Sequence, residues 1–175
     1  MELCTFFGDN RKTCLCDGAT AGKSLLVIEV LGSFDELNSL LGLVRAFDEA
    51  GETKNYVKEV QNDIFTVCAE IASDGDKSHP SIKKEHIERI ESLLGEVESK
   101  ITIPKCFVIP GGTKLSSLLD YSRSIARRAE RNLVRLSEER KVSRNLLKYS
   151  NRISGLLYAL ARLANRDNPE QKPSY

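Results

Sequence analysis

The chain has 175 residues, 41% hydrophobic and 29% charged, long enough to bury a real core and short enough for one domain over 1–175. Lys and Arg total 26 against 25 Asp and Glu, a formal net charge of +1; no global field draws in nucleic acid or an anionic membrane, so any anion site must be a local cluster. Residues 1–13 hold no apolar signal core and no later run reaches bilayer length, so neither a signal peptide nor a membrane anchor is expected.

The five cysteines (Cys4, Cys14, Cys16, Cys68 and Cys106) are odd in number and scattered, which predicts reduced thiols in a cytoplasmic protein. Cys14 and Cys16 lack the second ligand pair of a zinc site and read as thiols in a loop. Neither His79 nor His86 has a Glu three residues before it, as di-iron bundles require, so both read as solvated surface residues. In the N-terminal loop segment, 1–32, Gly22-Lys23-Ser24 echoes the end of a P-loop. Asp17 stands where the first glycine belongs, however, and no strand-to-helix context follows, which excludes a Walker-type site.

From Ser33 onward the apolar residues recur at helical spacing, with Pro and Gly between the periodic segments. The first helix is predicted over 33–50, with Ser33 and Glu36 as a capping box and Phe34, Leu37, Leu40, Leu41 and Val44 inward. The second is predicted over 52–72, burying Tyr56, Val60, Ile64, Val67, Cys68 and Ile71, and the loop 73–80 closes it. Ser81 is expected to cap a more polar third helix, to about 98, with Ile82, Ile87, Ile90, Leu94 and Val97 inward. Residues 101–113, with two prolines and a Gly-Gly pair, read as an extended loop.

The fourth helix is predicted from 113 to about 140, its apolar side running from Leu115 through Ile125 and Ala129 to Leu136. The last is predicted over 143–165, and its apolar C-terminal half suggests a central place in the bundle. Residues 166–175 read as a frayed tail. The fold class is therefore all-α: an up-and-down bundle of about five helices over 33–165.

Three constellations carry chemistry. Arg123, Arg127 and Arg131 recur every four residues, one cationic ridge flanked by Arg128 and Glu130, with small Ser124, Ala126 and Ala129 allowing close approach. Such guanidinium groups bind phosphate in a bidentate fork, although periodicity alone also fits a solvated, ion-paired face. Phe107-Val108-Ile109-Pro110-Gly111-Gly112 breaks into a glycine turn just before that helix, and fits a ligand loop or a hydrophobic linker. Asp35-Glu36-Leu37-Asn38 forms a turn in which capping accounts for Glu36 but not for Asn38.

Taken together, GSFDELNSLLG (32–42), VQNDIF (60–65), FVIPGG (107–112), RSIARRAERNLV (123–134) and YSNRISGLLYALAR (149–162) resemble, in order and spacing, the PduO-type ATP:cob(I)alamin adenosyltransferases, over residues 5–165. The resemblance implies a ferritin-like bundle assembling as a homotrimer with active sites between subunits. It also implies transfer of the 5′-deoxyadenosyl group of ATP to the cobalt of reduced cobalamin, with release of triphosphate. It assigns ATP contact to Lys23, Arg127 and Asn151, acting with Mg²⁺, and metal or nucleotide contact to Glu130. Arg123 would pair with Asp35 across the interface, and Phe107 would exclude the lower axial ligand of cobalamin. A reductase is the implied partner supplying Co(I).

The family's Thr-Gly-Asp-x-Gly-x-Thr run becomes Phe7-Gly8-Asp9-Asn10-Arg11-Lys12-Thr13, keeping Gly8, Asp9 and Thr13 but replacing a hydroxyl with a ring and a glycine with arginine. Its Lys-Asp-Asp-Pro-Arg-Val-Glu becomes Lys23-Ser24-Leu25-Leu26-Val27-Ile28-Glu29, which loses a second cation. These departures keep open the alternative of a relative that binds corrinoid or nucleotide as a carrier or sensor without turnover.

Overall fold

Apolar residues spaced three and four apart organise five helices, α1 (Leu26–Phe47), α2 (Lys54–Ala72), α3 (Lys84–Glu98), α4 (Lys114–Glu139) and α5 (Arg144–Leu163). They follow a short 3₁₀ turn (Phe7–Asn10) and a two-stranded antiparallel hairpin, β1 (Lys12–Cys14) with β2 (Thr20–Gly22), in which Thr13 faces Ala21. The computed structural model describes residues 6–15, 18–73 and 78–174; Cys4, Cys16, Asp17 and the middle of the 73–80 loop lie outside them. α4 packs between α1 and α5, with α2 against α1 and α3 against α5. The core comprises Phe34, Leu37, Leu41, Ile64, Leu119, Leu133, Tyr149, Ile153 and Leu156, all under 2% exposed. Among the described residues no helix is long and apolar enough to cross a membrane.

The first helix starts seven residues earlier than the capping signal implies. Val27 and Val30 are buried one and two turns before Phe34, so the stripe 27, 30, 34, 37, 41, 44 is continuous and Ser33 lies inside it. Ser33 is no cap. Its hydroxyl donates to the Glu29 carbonyl (2.8 Å) and accepts from Asn132 Nδ2 (3.1 Å), which ties α1 to α4. Glu36, relieved of capping, pairs with Arg128 of α4. The N-terminal segment is therefore 1–25, and it carries a hairpin where a loop was expected.

Ser81 does not cap α3 either. The Ile82 amide donates to the Glu70 carboxylate (2.6 Å), holding that stretch extended, and the helix begins after Lys83, whose amide donates to His86 Nδ1 (3.2 Å). His86 is thus half-buried and caps the helix, rather than being a freely solvated residue. α4 and α5 start where predicted, with Thr113 and Ser143 accepting from the amides of Ser116 and Leu146. Asp63, buried in α2, accepts from the Tyr149 hydroxyl (2.7 Å) and pairs with Arg89, joining α2, α5 and α3. Burial, reinforced by Asp63, raises the Tyr149 phenol well above its ordinary value, so it remains a donor.

The segment beyond α5 is held, not frayed. Arg162 of α5 donates to Glu170 (2.8 Å), the Ile109 amide donates to the Gln171 carbonyl (2.9 Å), and Arg166 pairs with Glu52 (2.9 Å). Gly111 adopts φ 124°, a backbone that glycine tolerates. Gly112 faces buried Asn165 so closely that a Cβ there would overlap the Asn165 side-chain amide. The Gly-Gly pair is thus a seat for the end of α5.

Candidate active site

Successive turns of α4 point Arg127, Glu130, Arg131 and Arg135 to one side, where Asn151 of α5 meets them around a cavity of about 540 Å³. Asn151 Nδ2 donates to Glu130 Oε1 (2.7 Å), while Arg152 donates both to Asn151 Oδ1 (3.1 Å) and to Glu91 (2.9 Å). That chain fixes the amide orientation: its nitrogen faces the carboxylate and its oxygen faces Arg152. Arg127 is exposed and has no ion-pair partner among the described residues, which leaves its fork open to an anion.

A second cavity, about 860 Å³, lies between the 104–110 loop, α4, α5 and the chain's last described residues; Phe107, Asp120, Arg123, Tyr158, Arg162 and Lys172 are among its walls. Phe107 is 78% exposed, an unusual state for a phenyl ring and one that suits a flat apolar ligand. Behind it, Asp120 is 5% exposed and serves two arginines: Arg162, in a buried ion pair, and Arg123, at 3.5 Å. Arg162 also lies over the Tyr158 ring (5.2 Å).

The remaining predicted residues stand apart. Lys23 Nζ donates to the Gly8 carbonyl (2.9 Å), with Asp9 exposed and Thr13 half-buried on the same hairpin unit. None of the four lines either cavity. Asp35 is exposed on α1 with no ion pair among the described residues, and Arg123 is engaged by Asp120 of its own helix. Asn38 accepts through its backbone carbonyl from Gln61 (3.0 Å), while its side-chain oxygen lacks a partner among the described residues. Within one chain the predicted site thus falls into a hairpin group, an Arg127–Glu130–Asn151 group, a Phe107–Arg123 group and Asp35.

Sequence reasoning missed Asp120, Tyr158, Arg162 and Lys172. Asp120 was legible as a carboxylate three residues before Arg123. Arg162 looked like the ordinary end of an apolar helix, and Lys172 lay in a tail read as frayed. Among the described residues no group of three or more His, Cys, Asp or Glu could hold a metal. Glu130 offers one carboxylate, with a free oxygen beside the arginine cavity, which fits a magnesium ion that draws its other ligands from phosphate and water.

Residues 3–164 match the family profile described as cobalamin adenosyltransferase. The corrinoid adenosyltransferase PduO of Citrobacter freundii is 34% identical over 170 residues, covering 95% of this chain and 51% of that protein, so the chain spans about half the length of that relative. The corrinoid adenosyltransferase of Bacillus subtilis (strain 168) is 32% identical over 170 residues, covering 94% of this chain and 87% of that one. A solved structure of a variant PduO-type ATP:corrinoid adenosyltransferase from Lactobacillus reuteri, complexed with cobalamin and ATP, superposes with a TM-score of 0.91 at 26% identity, covering 99% of this chain and 100% of that one. Given a profile match over nearly its whole length and relatives above 30% identity, this chain belongs to the cobalamin adenosyltransferase family.

Proposed function

We propose that the protein transfers the 5′-deoxyadenosyl group of ATP to the cobalt of a reduced corrinoid. In that reaction the electron pair of Co(I) forms the cobalt–carbon bond at C5′, the C5′–oxygen bond breaks, and triphosphate departs with its pair. The observation that carries this reading is the convergence of Arg127, Glu130 and Asn151 on one cavity in a chain of this family.

The chain's own tasks follow from the leaving group and the nucleophile. Arg127 neutralises charge as it builds on the departing triphosphate, and Asn151, oriented by Glu130 and Arg152, contacts the nucleotide. Glu130 would hold Mg²⁺, which supplies further neutralisation of the phosphates. Phe107, exposed at the mouth of the 860 Å³ cavity, would face the corrinoid and keep its lower axial position clear of a ligand.

The working unit we propose is a homotrimer with each site between neighbours, where the hairpin of one protomer (Gly8, Asp9, Thr13, Lys23) reaches the arginine ridge of the next. Support comes from the separation of these groups within one chain, from Asp35, which has no ion pair among the described residues and is available to a neighbour's Arg123, and from exposed Phe65 (69%), Phe47 (52%) and Leu43 (50%). Apolar surface of that kind marks association. A reductase must supply Co(I), and exposed thiols at Cys14 and Cys106 suit a cytoplasmic setting.

Incubation with ATP, Mg²⁺ and chemically reduced cobalamin is expected to give the spectrum of adenosylcobalamin; no product at any ATP concentration overturns the proposal. A second reading, a carrier or sensor without turnover, draws on Arg11, which holds φ 59° where the family pattern has glycine, and on Phe7. Calorimetric binding of ATP or cobalamin without product formation would select it.

A further inference from the structure

Four arginines of α4 and α5 are matched to an acceptor: Arg128 to Glu36, Arg123 to Asp120, Arg152 to Glu91, and Arg162 to Asp120 and Glu170. Arg127, Arg131 and Arg135 are the contrast. They stand at i, i+4 and i+8 on α4, all exposed, all lining the 540 Å³ cavity, and none has an ion-pair partner among the described residues. Like charges spaced four apart destabilise a helix, so three aligned guanidinium groups left unmatched form a surface that an extended polyanion completes. The one carboxylate in that lining, Glu130, is engaged by Asn151.

We propose that Arg131 and Arg135 are polyphosphate-binding residues, continuing the grip begun at Arg127. Arg135 holds the end of the triphosphate remote from Asn151. The inference deepens the adenosyltransfer reading and rests on it for the identity of the ligand. From Arg127 to Arg135 the helix rises about 12 Å, a span over which three long forked side chains can converge on successive phosphate groups. Bidentate guanidinium contacts favour such an arrangement over point contacts by ammonium groups. The ladder also supplies cation charge to a site whose N-terminal loop retains Lys23 but carries Ser24, Leu25, Leu26 and Val27 after it.

The test uses the full chain and inorganic tripolyphosphate, with affinity measured by calorimetry at low ionic strength and assembly followed by light scattering. Arg135→Ala and Arg131→Ala are each expected to weaken tripolyphosphate binding roughly tenfold, about 1.4 kcal/mol, with assembly unchanged. Arg135→Lys should recover part of the loss. Arg144→Ala, which removes an exposed charge of the same sign outside the cavity, should bind as the parent does. Unchanged affinity in Arg135→Ala, or a loss that follows dissociation of the oligomer, overturns the inference by making Arg135 a bystander or an intersubunit partner. If the parent protein binds tripolyphosphate through these arginines yet never forms adenosylcobalamin, the ladder stands and the transferase reading fails. Turnover accompanied by an indifferent Arg135 instead removes the ladder and leaves the transferase reading standing.

Discussion

Arg11 holds a left-handed backbone, φ 59°, with its amide donating to the Gly8 carbonyl (3.2 Å) and its own carbonyl accepting from the Lys23 amide (2.9 Å). A side chain in that region costs about 1 kcal/mol or more relative to glycine. Arg11→Gly is therefore expected to favour the closed hairpin by about 1 kcal/mol, read as slower hydrogen exchange of the Lys23 amide. Arg127 lies at the other extreme, exposed and unstrained. Arg127→Ala should leave the melting temperature within about 2 °C while lowering kcat/KM about 100-fold, the loss typical of a removed charge-stabilising donor. Both arginines could be picked out from the sequence, Arg11 by its glycine-like position and Arg127 by its four-residue spacing. Asn132 could not, and Asp120 only as a neighbour of Arg123, because polar residues in an apolar stripe carry no sign of the partners on other helices, Ser33 and Arg162, that bury them.

Helices were legible wherever apolar spacing ran unbroken, and their starts only where a hydroxyl cap is used. Thr113 and Ser143 cap α4 and α5; Ser33 and Ser81 have the same chemistry but lie inside α1 or before α3, because Val27, Val30 and the Glu70–Ile82 contact decide those boundaries. The Gly111-Gly112 turn was legible as a break and illegible as packing. Gly112→Ala should cost about 1–3 kcal/mol, measured by denaturant unfolding, since the added methyl must displace buried Asn165. Between α2 and α3, Lys100, just beyond α3, donates to Glu96 (2.6 Å) and Tyr56 (2.8 Å). The Lys100 ammonium, then the Tyr56 hydroxyl, holds the Glu96 carboxyl below its ordinary 4.5. The stability this carboxylate carries is present above pH 4.5 and is lost as pH falls through its lower folded value. Glu96→Gln should flatten the acid limb of a stability–pH curve between those points.

At the scale of the molecule, a single chain presents the candidate site groups in pieces. The hairpin with Lys23, the Arg127 cavity and the Phe107 cavity are separate, and no periodicity in a sequence encodes which piece of one protomer meets which piece of another. Only the resemblance to a family supplied that expectation. For the proposed trimer, Asp35→Asn should raise the dissociation constant roughly tenfold, about 1.4 kcal/mol, in sedimentation experiments, with the fold of each protomer intact because the residue is exposed.

The contact between the Ile109 amide and the Gln171 carbonyl makes the two ends of the Phe107 cavity mechanically dependent. A macrocycle placed against the phenyl ring, as proposed, would press on a loop whose backbone is stitched to Gln171, and the neighbouring Glu170 is paired with the guanidinium that also grips Asp120 beside Arg123. Under the proposed placement of the corrinoid, the route from the Phe107 loop to the arginine helix is short: one covalent chain and three polar links join them, so loading of one substrate would be felt by the residues proposed to receive the other.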